Sequence, residues 1–114
     1  MIKLMALLKR RAGMSRADFI DYYQTRHAPL IRRLTPMIAD YRRNFLVWEG
    51  AFPAADGSET NFDCVTEIWF ASAADHQAAL AIWGDPAVAA QIAADEENVF
   101  DRGATRMFVV EERD

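Results

Sequence analysis

The sequence predicts an α+β fold of the ferredoxin-like kind, a split βαβ sandwich with elements in the order strand, helix, strand, strand, helix, strand. Three observations carry this. Ile2 to Leu8, Asp40 to Trp48, Asp63 to Phe70 and Thr105 to Glu112 either alternate in polarity or concentrate β-branched and aromatic residues, as strands do. Longer stretches between the first and second pair members, and again between the third and fourth, return apolar residues at helical spacing. With 114 residues, 52% of them hydrophobic, the chain has the length of a single domain over 1–114 and leaves no room for a second.

Each element has a local reason. Ile2 to Leu8 is apolar on both faces, which suits a sheet covered on both sides. Ser15 with Asp18 starts a helix in the manner of a capping box, and Phe19, Tyr22, Tyr23 and Arg26 recur along it. Pro29 is expected to end that helix near His27, with a short helix over Leu30, Ile31 and Leu34 before Pro36. Glu49 to Asn61, with Pro53 and Asp56-Gly57-Ser58, reads as the one long loop. Ser72 and Asp75 open a helix through Trp83, Gly84 stops it, and Asp85-Pro86 opens another to about Val99. The alanines there let Leu80, Ile82, Val88 and Ile92 approach the sheet closely. The two halves repeat a topology without repeating a sequence.

Charge narrows the function. Net charge is -4, yet residues 1–50 carry 10 basic and 4 acidic residues while residues 51–114 carry 3 and 13. That division suits pairing between the halves, within or between subunits, and offers no uniform basic field for nucleic acid. The single cysteine, Cys64, excludes an internal disulfide and fits a reducing, cytoplasmic compartment. No uncharged apolar run is long enough to span a membrane, and the first residues lack the order of a secretion signal. Isolated glycines give no nucleotide loop, no serine sits in a nucleophile elbow, and His27 and His76 have no ligand spacing, so no cofactor or metal is expected.

His27 is the first catalytic candidate, because imidazole exchanges protons near neutral pH. At a helix end it competes with a plain capping role, and the helix dipole there favours the charged ring. Tyr23, four residues earlier, shares its face and is a candidate substrate-binding residue, with core packing as the alternative. Arg42 and Asn44 fall on one strand face as possible donors to a substrate oxygen, opposite Arg43, with solvation as the alternative. Glu67, among apolar strand residues, is either a buried binding group or half of a salt bridge. Asp95, Glu96, Glu97 and Asp101 read as a solvated acidic run, and Cys64 as packing. The apolar second sheet face calls for a symmetric partner, or for the 49–61 loop folding over it.

Ile2 to Leu8, Phe19-Ile20-Asp21-Tyr22-Tyr23, Arg26-His27-Ala28-Pro29-Leu30 and Tyr41-Arg42-Arg43-Asn44, with Glu97, Phe100-Asp101-Arg102 and Val109 to Glu112, resemble the EthD family of dimeric α/β-barrel proteins. The resemblance implies a homodimer whose sheets enclose cavities, a small hydrophobic or aromatic ligand, the family-matching His27 as the first catalytic candidate, and Tyr23, Arg42 and Asn44 as cavity residues. It points to cofactor-independent proton transfer, of isomerase, dehydratase or cyclase type, on a small aromatic, lactone or polyketide-like molecule. Two other roles stay open: an accessory dimer that binds such a ligand without chemistry, and a structural or stress-associated homodimer.

Overall fold

Strand β1 (Ile2–Leu8) lies inside a four-stranded antiparallel sheet of order β2-β3-β1-β4, with β2 Ile38–Phe45, β3 Cys64–Phe70 and β4 Arg106–Val110. The computed structural model describes residues 1–114. β1 pairs from Ile2 opposite Phe70 to Leu8 opposite Cys64 on one side, and from Lys3 opposite Val110 to Leu7 opposite Arg106 on the other. The helical crossovers from β1 to β2 and from β3 to β4 cover one face, which is the ferredoxin-like sandwich. Because side chains alternate, Leu4, Ala6, Leu8, Thr66, Ile68 and Phe70 are buried beneath the helices, while Lys3, Met5, Leu7, Val65, Glu67 and Trp69 stand half-buried on the open face.

The first crossover corrects one expectation. Helix α1 (Arg16–Tyr22), capped by the Ser15 hydroxyl on the Asp18 N–H at 3.1 Å, does not end before Pro29. It passes through a π-helical turn, Tyr23–His27, directly into α2 (Ala28–Leu34). A proline inside an α-helix lacks a donor and presses on the carbonyl four residues back. Here the Ala28 N–H reaches five residues back to the Tyr23 carbonyl, and the widened turn admits Pro29 into the first turn of α2. His27 therefore sits within a continuous helical run, and its helix-end cap and dipole readings fall away.

Helices α3 (Ala73–Gly84) and α4 (Pro86–Glu96) are capped as the sequence indicates, by Ser72 on Asp75 and Asp85 on Val88. The sheet-facing stripe of α3 runs one residue earlier than expected. Ala79 is fully buried and Trp83 packs edge-on to Phe70, while Leu80 is 42% exposed. The missing side chain at Ala79 is what lets the helix come down onto the sheet. α4 buries no residue completely; it is a roof held at its edges.

β2 starts earlier than expected, at Ile38, is irregular between Ile38 and Asp40, and ends at Phe45. Every residue from Val47 to Asn61 is exposed, Phe52 completely, so the loop does not cover the open face of the sheet. The divided charge is used within the chain: Lys3 pairs with Glu67 at 3.0 Å and Glu112 at 2.8 Å, and Arg10 with Asp63 at 3.6 Å. Cys64 is fully buried, and burial pushes its thiol up to about 11, which fits packing rather than reactivity. No helix is long and apolar enough to cross a membrane.

Phe19 anchors the aromatic core, meeting Tyr23 at 6.1 Å and Phe45 and Phe100 at 5.9 Å, all edge-on. Phe19→Ala is expected to lower unfolding free energy by about 3–5 kcal/mol in guanidinium titrations. Phe52→Ala, at a fully exposed position, is expected to change it by less than about 0.5 kcal/mol.

Candidate functional site

A cavity of about 300 Å³ lies between the helices and the sheet. Ala6, Tyr41, Thr66 and Ile68 line it from the sheet, and Tyr23, His27, Trp83, Ile92 and Phe100 from the helical layer and the segment after α4. It opens where no helix passes over β4: Met107 and Val109, on the helix-facing side of that strand, are 51% and 57% exposed. Glu96, Arg102, Thr105 and Met107 belong both to the cavity and to a shallow depression outside it, so they form the mouth.

The π-helical turn puts Tyr23 and His27 on the same side, with rings 5.6 Å apart, and His27 also meets Phe100 edge-on at 5.0 Å. The imidazole is 4% exposed and its Nδ1 lies 2.7 Å from Asp95 Oδ2 on α4. The other Asp95 oxygen accepts the Tyr22 hydroxyl at 2.6 Å, and Asn98 in turn donates to Tyr22 at 3.1 Å. A carboxylate can only accept, so the neutral ring carries its hydrogen on Nδ1 and keeps a free lone pair on Nε2. No fully buried polar side-chain atom lacks a hydrogen-bond partner, and Nε2 has none in the protein. It therefore keeps accessible surface, on a side chain that lines the cavity.

A second polar chain crosses the floor. The Tyr41 hydroxyl donates to Tyr23 at 3.2 Å, and Tyr23 lies 2.6 Å from Thr66 Oγ1. With its oxygen accepting from Tyr41, Tyr23 has its own hydrogen for Thr66. That leaves the Thr66 hydrogen with only the Cys64 sulfur at 3.6 Å, a weak acceptor. Burial pushes Tyr41 up to about 12 and Tyr23 well above the usual phenol value. Both phenols are neutral donors at any physiological pH.

The structure thus brings together two of the five site residues expected from sequence, His27 and Tyr23. Arg42, Asn44 and Glu67 stand on the open face, with the sheet between them and the cavity. Arg42 pairs with Asp40 at 2.9 Å and lies over Trp69 at 5.7 Å; Asn44 donates to the Val65 carbonyl at 2.9 Å; Glu67 takes the salt-bridge reading with Lys3. Strand alternation put Arg42 and Asn44 on one face as expected, but that face, which Glu67 shares, is the one away from His27. Arg43, from the other set, stacks on Tyr41 at 4.5 Å and bonds Gln24. Sequence reasoning missed Asp95 by reading it with its acidic neighbours. Its signal was helical: Val88, Ile92 and Asp95 follow one another at the spacing of a single inward face. His76 packs against Phe70 instead, at 5.5 Å.

The EthD domain model matches residues 11–103. The chain belongs to the EthD family. Among solved structures, this EthD domain is similar to an EthD family protein from Bacillus halodurans, at 22% identity over 99% of both chains with a TM-score of 0.66. It is also similar to an EthD-like protein from Ralstonia eutropha, at 25% identity over 96% of this chain and 89% of that one, TM-score 0.63. A hydroxynitrile lyase from Passiflora edulis shares the fold at 16% identity, covering 98% and 94% of the two chains, TM-score 0.63. No curated protein sequence matches the EthD domain described here.

All three tyrosines, Tyr22, Tyr23 and Tyr41, are raised above the ordinary phenol value, chiefly by burial. Ultraviolet titration is expected to show no tyrosine ionising at its usual pH of about 10 in the folded protein, and all three doing so once denaturant is added. A folded-state pKa above the unfolded one means the stabilisation is complete below about pH 10 and lost as pH rises toward about 12. Chemical denaturation midpoints should fall across that window.

Proposed function

We propose that this EthD domain catalyses cofactor-independent proton transfer on a small molecule held in the cavity, with His27 as the proton carrier. The observation that supports it is the His27–Asp95 bond of 2.7 Å, which leaves Nε2 as an acceptor facing an apolar cavity. In the proposed step Nε2 takes a proton from carbon beside a carbonyl. The C–H bond breaks, an N–H bond forms, and the electron pair moves onto the carbonyl oxygen. Asp95 faces the imidazolium that results, and the Thr66 hydroxyl, backed by the Tyr23 and Tyr41 phenols, is placed to donate to the developing oxygen charge. Return of the proton to another carbon gives an isomerase; delivery to a departing hydroxyl gives a dehydratase. Both are cycles without external reagents. The oxygen-stabilising role expected of Arg42 or Asn44 passes to the hydroxyls, because the sheet separates those two residues from His27.

The domain is further proposed to work as a cytoplasmic homodimer closed through the open sheet face. Phe108 is 45% exposed there, beside half-buried Met5, Leu7 and Trp69, and the long loop leaves that face uncovered. In such a dimer Arg42, Asn44 and Glu67 are interface residues.

Exchange of ketone α-protons with deuterium, followed by NMR, tests the chemistry. His27→Ala is expected to reduce the exchange rate at least about a hundredfold, and Asp95→Asn at least about tenfold with the thermal midpoint retained. Wild-type exchange in His27→Ala would remove histidine from the mechanism. Light scattering should give twice the 12.9 kDa chain mass, with Phe108→Glu returning it to a single chain; a wild-type mass of one chain would rule out the dimer.

A further inference from the structure

The cavity has a charge preference as well as a shape. We infer that its ligand is an uncharged molecule of about two fused rings bearing an enol or phenol hydroxyl, and that the carboxylate counterparts of such molecules are excluded. This rests on the functional reading only in taking Nε2 of His27 as the free acceptor.

Size comes first. An engineered cavity of about 150 Å³ takes one benzene ring, and this one, at about 300 Å³, holds about two. Eleven of its 16 lining residues are hydrophobic, so most of the ligand surface has to be apolar.

Charge follows from how each ionisable side chain nearby is already engaged. Behind His27, outside the lining, Asp95 supplies a negative charge whose two oxygens are taken by Tyr22 and His27, and at the mouth Glu96 supplies another. The Tyr23 and Tyr41 phenols are held neutral by burial. The one guanidinium lining the cavity, Arg102 at the mouth, is bound by Glu96 at 3.4 Å and Glu97 at 3.2 Å. A carboxylate entering would lose its hydration, meet no free cation and lie near Asp95, a combination that is costly in an apolar site. A cation would find no carboxylate beyond the mouth, where Glu96 is already paired with Arg102. An uncharged ligand meets neither penalty.

Hydrogen-bond polarity then selects the functional group. Beyond the mouth, the cavity offers one free side-chain acceptor, His27 Nε2, and one hydroxyl hydrogen without a strong partner, on Thr66. A hydroxyl on an sp² carbon matches both, since its hydrogen goes to Nε2 and its oxygen accepts from Thr66. A plain hydrocarbon of the same shape leaves both unmet, and unmet buried polar groups cost binding.

Calorimetric titration of the wild-type protein at pH 7 with 2-naphthol, 2-naphthoate and 2-methylnaphthalene tests this. 2-Naphthol is expected to bind at least about tenfold more tightly than either of the others. Thr66→Val should remove most of the preference over methylnaphthalene, while Thr66→Ser should keep it. Equal or tighter binding of the naphthoate, equal binding of the hydrocarbon, or no binding of 2-naphthol at millimolar concentration overturns the proposal. Selective 2-naphthol binding by a protein that exchanges no ketone protons would keep this inference and end the catalytic reading. Proton exchange together with preferred naphthoate binding would do the reverse.

Discussion

The bond from His27 Nδ1 to Asp95 Oδ2 joins the helical run after β1 to the roof helix α4, across 68 positions of sequence. α4 buries no residue completely, so hydrophobic packing alone holds it weakly. Two polar ties to one carboxylate, from His27 and Tyr22, join it to the first helical run, and Arg102 holds Glu96 at its end. The same tie decides which imidazole nitrogen is left for chemistry. One contact thus joins the roof of the cavity to the ring whose other nitrogen is left for chemistry.

The π-helical turn is the device that makes the contact possible. Had Pro29 ended the helix at His27, the imidazole would have stood at a frayed end, pointing to solvent or to the last carbonyls. The extra residue in the turn instead carries Tyr23 and His27 inward together and continues the helix to Leu34. π-Turns of this kind are common at functional sites because they reorient side chains at the cost of a regular hydrogen-bond ladder.

The strands, both capping serines and the order of elements were legible in the sequence, since each rests on local chemistry: alternation, a hydroxyl before a helix, an apolar return every third or fourth residue. The site was half legible. His27 and Tyr23 lie four apart and could be paired from spacing, whereas Asp95 belongs to an acidic run in which Glu97 and Asp101 are exposed. Only the inward stripe of α4 distinguishes it. Arg42 and Asn44 were grouped correctly on one face, and Glu67 on a face of its own strand, but a single residue of register decides whether a strand position meets the helices or the open side. The continuation past Pro29 was not legible, because a proline in a helical pattern reads as a stop unless the widened turn before it is known.

The measurement that bears most directly on this account is the tautomer of His27, read from ¹⁵N chemical shifts of the labelled protein at a pH where the ring is neutral. Hydrogen on Nδ1 and a bare Nε2 are expected in the wild type, with that preference weakened in Asp95→Asn. A neutral ring protonated on Nε2 in the wild type, or a tautomer unchanged by Asp95→Asn, would contradict it.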